Sequence, residues 1–352
     1  ERGTPFCAYY GVSQKGNFEG GWSVLNISSS LEKVSRLYGL PIADLEKVLE
    51  EGRKRLFAER EKRTRPGRDE KILISWNGLM ISSLVDGYKV TGNQQYLYAA
   101  REAVRFILQE MRKDAHLMRV FNKGKCQIKG YSEDYAFFIQ ALIDLYEATF
   151  EVDWLKEADD LNRRMIKQFW DEKDGGFFFT GEENEPLIAR SKSPYDNVTP
   201  SSNSVAVFNL IKLGYLTGDE SLRQKAEQIL HLFYNFLSEH PFGFTHMLSG
   251  FCFFFNPEEI GIIGSKDDPR TTSMLQEIYR AYLPNKILSL RDPQKPIKGD
   301  WLPFLMEQGT TEVPTTFVCK NFTCLPPVTN EHELRKILGL PPKYWEDKEM
   351  GR

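Results

Sequence analysis

Carboxylates and aromatic rings at helix starts are the residues of this chain whose types and spacing fit chemistry. Glu133-Asp134, Asp196 and Asp69 are the acids concerned, and each lies close before or at the start of an apolar helical run. Glycoside hydrolysis needs two such groups, roughly 5–5.5 Å apart for retention and roughly 6.5–9.5 Å apart for inversion. Trp76, Tyr131, Tyr135 and Phe177 could stack on a sugar face, and Asn77, Ser202, Asn203 and His246 could supply hydrogen bonds to hydroxyls. A structural role stands beside each of these. Acids, serines and asparagines at helix starts cap free N–H groups, and large rings fill cores. Epimerisation would instead need bases on both faces of a sugar carbon, most often histidines. Of the five histidines (His116, His231, His240, His246 and His332) only His246 stands near a helix start of this kind.

The elements that must hold these residues come from a repeat. Copies begin at Trp76, Asp134 and Ser202, so that Leu79, Phe137 and Val205 coincide, as do Ala100, Ala158 and Ala226. Breaks fall at Gly92-Asn93, Phe150-Glu151 and Gly218-Asp219. A repeat of this length means an array of one supersecondary unit. Each copy reads as an apolar inner helix, a short turn and an amphipathic, charged outer helix. The inner helices are too apolar to line an open concave face, so a closed toroid is expected. Aromatic, glycine-rich stretches such as Asp174–Thr180 and Gly243–Thr245 read as hairpins or loops on the rim where inner helices begin.

Around the repeats, residues 1–40 read as irregular, and 41–63 as an amphipathic helix opened by Pro41. The hairpin array is expected over 41–257, including a further helix at 242–255. From 258 to 352 the pattern changes to a small α/β extension, with strands near 259–264, 286–290 and 315–319 and helices near 270–282 and 330–338. A lone Gly264 between strand and helix is too little for a phosphate loop.

With 46 basic and 49 acidic residues the net charge is −3, which argues against nucleic acid or an anionic membrane as partner. No apolar run approaches the length of a membrane span, and five cysteines suit a reducing, cytoplasmic setting. No metal site and no cofactor are expected: Cys319 and Cys324, spaced C-x4-C, lack two further ligands nearby. A disulfide and two buried thiols are both open to that pair, with buried thiols the preferred reading. The chain starts at Glu1 rather than Met, as a fragment or processed form would.

Five motifs occur in an order that resembles one family. They are Lys71-Ile-Leu-Ile-Ser-Trp-Asn-Gly-Leu-Met80, Glu133-Asp-Tyr-Ala-Phe137, Asp171 with Gly175-Gly-Phe-Phe178, Asp196-Asn-Val-Thr-Pro-Ser-Ser-Asn-Ser204 and Cys319-Lys-Asn-Phe-Thr-Cys-Leu-Pro-Pro-Val328. The chain is similar to the YyaL-like, spermatogenesis-associated protein 20-like family. That resemblance implies a mainly α protein, with an (α/α)6 toroid of six-hairpin glycosidase type following an N-terminal thioredoxin-like domain. This chain would hold the later part of the toroid. Its partners would then be a carbohydrate-like small molecule and the thioredoxin-like domain of the full-length protein. The alternative to a glycosidase-like or epimerase-like protein is a non-catalytic scaffold for that redox domain.

Overall fold

The computed structural model describes residues 3–320 and 323–341 and divides into two compact units, 1–69 and 70–352. In the first unit, helices α1 (Gly3–Tyr9), α2 (Leu31–Tyr38) and α3 (Ile42–Arg60) enclose Phe6, Val34, Leu45 and Leu49. The Ser30 hydroxyl caps α2 by accepting from the Lys33 N–H, and Gly39 ends it at φ 64°. Gly52 is glycine for a packing reason. A Cβ there would lie 2.4 Å from the Phe6 ring. Residues 1–40 are therefore not irregular throughout, and α3 folds with α1 and α2. Three or four apolar anchors on short helices leave too faint a period to read.

The second unit is built on the repeats. Inner helices α4 (Ile74–Thr91), α6 (Ser132–Thr149), α8 (Ser202–Thr217) and α11 (Thr245–Phe255) stand side by side in that order. Outer helices α5 (Gln94–Glu110), α7 (Val152–Phe169) and α9 (Glu220–Leu232) return between them, and a short α10 (Tyr234–Glu239) follows α9. The described residues thus hold three complete hairpins and a fourth inner helix of the six-hairpin architecture. α6 is buried on nearly every side, and α7 and α9 bury one stripe each, as their sequences require. The equivalent residues Ala100, Ala158 and Ala226 are all fully buried where outer helix meets inner.

Small residues also let the inner helices touch. A Cβ on Gly78 would sit 2.8 Å from the Phe137 carbonyl carbon, and the equivalent positions are Ala136 and Ser204. The first three inner helices end on left-handed residues: Gly92 at φ 71°, Phe150 at φ 60° and Gly218 at φ 75°. Phe150 is the exception, since a side chain in that conformation costs roughly 1–2 kcal/mol. It is held there by packing against both the repeat core and the core of the C-terminal sheet.

At the N-terminal end of the inner helices lies a small antiparallel sheet. Strand β3 (His116–Asn122) pairs with β1 (Ile72–Leu73), β2 (Arg112–Lys113) and β4 (Lys125–Lys129). The expected rim turn after α7 is a bridge between Trp170 and Phe177, closed through Gly175 and Gly176 at φ 77° and 75°.

The opposite end carries the C-terminal α/β extension. Its strands are β5 (Glu258–Ile263), β6 (Lys286–Arg291), β7 (Thr315–Lys320) and β8 (Thr323–Cys324), in the order β6-β5-β7-β8. β5 and β6 are parallel through α12 (Pro269–Arg280), and the other pairs are antiparallel. α12 and α14 (Glu331–Ile337) cover Ile260, Ile262, Leu288 and Val318 on one face. On the other face Ile263, Ile287 and Phe317 join the repeat core beside Leu305 of α13 (Pro303–Glu307).

Glu147 near the end of α6 fastens this extension. It is 1% exposed; its Oε1 accepts from the Leu288 N–H at 3.1 Å and its Oε2 from Lys212 Nζ at 2.9 Å. Lys89 lies 3.8 Å away, and the Tyr279 hydroxyl donates to the Glu147 carbonyl. Burial opposes its charge, but Lys212, Lys89 and Lys286 prevail and hold its carboxyl below the usual glutamate range.

Cys319 and Cys324 form a disulfide between β7 and β8, so the preferred reading of two buried thiols is corrected. The cause is register: the two residues are direct cross-strand partners, and Cys324 is exposed. Among the described residues no helix is long and apolar enough to cross a membrane.

Candidate functional site

The rim where inner helices begin is built from capping. Ser75, in the first turn of α4, has no helical partner for its N–H, and Asp134 Oδ1 accepts it at 3.2 Å. Asp134 Oδ2 accepts from the Tyr131 N–H at 2.9 Å and from Arg119 Nη1 at 2.9 Å. This carboxyl is fully buried, and burial raises it above the ordinary aspartate value against the pull of Arg119. Asp196 repeats the device two junctions further on. Its Oδ1 accepts from the Ser201 N–H at 2.9 Å, and its Oδ2 from the His246 and Met247 N–H groups at 2.9 and 3.2 Å. The acids therefore serve different junctions, Asp134 between α4 and α6 and Asp196 at the start of α11.

Replacing Asp196 with alanine strips the first turn of α11 of its cap, a loss of about 0.5–2 kcal/mol. Amide exchange at His246 and Met247 is expected to accelerate with it. Unchanged protection at both amides would show that the carboxylate is not what holds this turn.

The amide and hydroxyl candidates are also engaged. Asn203 is fully buried; its Oδ1 accepts from the Phe177 N–H at 2.8 Å, while its Nδ2 donates to the carbonyls of Phe177 and Ser193. Asn77 Nδ2 donates to the Leu73 carbonyl, and the Ser132 hydroxyl donates to Ser202 Oγ at 2.8 Å. Tyr135 is 2% exposed with its hydroxyl accepting from the Leu117 N–H, and Phe177 is 1% exposed against Trp170. Neither ring is open to stack on a sugar, which corrects that expectation: both lie inward on the first turn of α6 and on the Trp170 bridge. Asp69 is the last residue of the first unit.

What remains open on the rim is narrower. Trp76, one residue beyond Ser75, is 66% exposed. Glu133 and Arg119 are partly exposed and paired at 2.8 Å, and the guanidinium stands 4.7 Å over the Tyr131 ring. His246 lies against Phe208, its Nε2 has no protein partner, and burial lowers its pKa so that the neutral ring is favoured at pH 7. Arg119 was absent from the expected set. An arginine inside the apolar run Leu117–Phe121, before a Lys123-Gly124 turn, was the available signal. Chemically, the open part of this rim offers one exposed ring and one acid with its arginine, while the His246 Nε2 is buried.

The sequence pattern of glycosyl hydrolase family 76 matches residues 42–240. Spermatogenesis-associated protein 20 of Homo sapiens is 31% identical over 359 residues, covering 96% of this chain and 46% of that protein. An uncharacterized protein of Caenorhabditis elegans is 26% identical over 322 residues, covering 88% of this chain and 43% of its own length. The chain thus spans less than half the length of these curated relatives. Among solved structures, a family 76 α-mannanase of Bacteroides thetaiotaomicron superposes with a TM-score of 0.44 at 14% identity, over 62% of this chain and 58% of that one. Cellobiose 2-epimerase of Spirochaeta thermophila gives a TM-score of 0.39 at 18% identity, over 46% and 43%.

Proposed function

The chain belongs to glycosyl hydrolase family 76, and from that membership we propose that it binds a carbohydrate-like ligand at the N-terminal rim of its inner helices. The observation that carries the reading is Trp76, exposed at the start of α4 beside the Asp134–Arg119–Glu133 chain of contacts. An exposed indole offers an apolar face for a sugar ring, and the Arg119–Glu133 pair offers a donor and an acceptor for hydroxyls. If the ligand is processed, Glu133 is the acid–base group, in the glycosidase-like or epimerase-like manner.

The test is a thermal-shift screen of neutral, acidic and unsaturated saccharides, with NMR to follow anomer or epimer change. Trp76→Ala is expected to weaken binding by about 1 kcal/mol, roughly fivefold in Kd. Glu133→Gln is expected to lower any turnover by about a hundredfold or more. No binding and no turnover in any sugar class would sink the carbohydrate reading.

A second reading has its own support. Asp134, Asp196 and Asn203 are all taken up by backbone donors, as a non-catalytic module would have them. In that reading the unit is a scaffold for a thioredoxin-like domain of the full-length protein. Binding without turnover would select it. We further infer a cytoplasmic setting from the small number of cysteines.

A further inference from the structure

Three side chains stand in one row across the C-terminal sheet. Glu259 of β5 is the direct partner of Cys319 on β7, and Cys319 that of Cys324 on β8. Directly opposed residues on antiparallel strands share a face, with Cβ atoms roughly 4.5–5.5 Å apart. The row runs from inside to outside. Glu259 is half-buried, Cys319 is 5% exposed, and Cys324 is exposed on a two-residue edge strand. The disulfide therefore joins an exposed residue to a buried one, and the buried one is the cross-strand neighbour of a glutamate.

We propose that Cys319–Cys324 is a thiol–disulfide exchange centre whose substrate is a dithiol, entered at Cys324 and served by Glu259 as proton donor to Cys319. A thiolate of the dithiol attacks Cys324 Sγ and forms a mixed disulfide with it. The Cys319–Cys324 bond breaks, and its electron pair passes to Cys319 Sγ, which takes the proton of the Glu259 carboxyl. The second thiol of the donor, deprotonated to solvent, then attacks its own partner sulfur. The donor closes to a disulfide, and Cys324 leaves as a thiolate protonated by water. The Glu259 carboxylate recovers its proton from solvent, so that the dithiol has lost two electrons and two protons and the cysteine pair has gained them.

The chemistry needs such a group here. A leaving sulfur departs faster when its charge is neutralised, and burial makes a bare thiolate at Cys319 costly. Burial raises the Glu259 carboxyl to about 7, against the pull of Arg223 on α9 and with Glu307 on α13 adding to the rise; Tyr215 on α8 faces it as well. Cys7, Cys126 and Cys252 carry no disulfide and lie outside the row.

The intact chain is exposed to dithiothreitol without denaturant, quenched by alkylation, and Cys319 and Cys324 are read by peptide mass spectrometry. Both are expected to reduce while the fold persists. Glu259→Gln is expected to slow reduction about tenfold near pH 6 and to leave it unchanged near pH 8.5, where the native carboxyl has ionised. A rate ratio that does not vary with pH overturns the role of Glu259, and reduction only in denaturant overturns the centre itself. Should the glutamine variant not fold, Cys319→Ser supplies the second measurement. Oxidised glutathione is expected to form a mixed disulfide at Cys324 in that variant, and failure to do so overturns Cys324 as the point of entry.

Discussion

Asp134→Ala is expected to destabilise the second unit by about 3–5 kcal/mol, the cost of removing one partner from a buried ion pair. The change strands three donors at once: the Ser75 and Tyr131 N–H groups and one arm of Arg119. Arg119 retains Glu133, so the charge is not left wholly alone, but the Ser75 N–H at the start of α4 loses the acceptor it has. Asp134→Asn is expected to recover about half the loss, because the amide oxygen still accepts while the charge is gone. Equilibrium urea unfolding reads both. If the asparagine variant matches the wild type in stability yet abolishes turnover of a sugar, the acid is catalytic and the capping account fails.

The second large effect lies at the other end of the inner helices. Glu147→Ala leaves Lys89, Lys212 and Lys286 facing one another without the carboxylate that holds them. A loss of about 3–5 kcal/mol is again expected, together with faster exchange of the Leu288 amide that Glu147 now accepts. The pH dependence gives the sign. In the wild type the pKa of Lys212 is raised, with Glu147 and Asp144 outweighing burial. Its stabilisation is present below the unfolded lysine pKa and is lost as pH climbs through the folded one. In Glu147→Gln the buried lysines face lowered folded pKa values, so the unfolded chain binds more protons and stability rises toward alkaline pH. Parallel stability profiles from pH 7 to about 10 would refute the cluster as described.

The repeat was legible because its copies share positions that packing constrains hard. Ala100, Ala158 and Ala226 are buried alike, and small residues recur at Gly78, Ala136 and Ser204 where inner helices touch. The C-terminal strands were readable within a residue or so because they are short, buried runs bounded by turns, as with Thr315–Lys320 against the expected 315–319. The α1 and α2 helices were not, since few apolar residues mark them.

The site resisted for a different reason. An acid at a helix start looks the same whether it caps a neighbouring helix or meets a ligand, and Asp134 and Asp196 reach helices remote in sequence. The Cys319–Cys324 bond depended on β8, a strand of two residues with no period to detect.

Phe150 makes the three hairpins unequal in kind. Where the first and third turn on glycine, the second turns on a ring in a left-handed conformation, seated in two cores. A hairpin with that ending cannot trade places with its neighbours, because its ring is seated in the core of the sheet as well as in that of the repeats. Shuffling, deleting or duplicating a hairpin would shift the socket away from its plug. What descends from a uniform repeat has become an addressed series, in which order along the chain is itself a structural requirement.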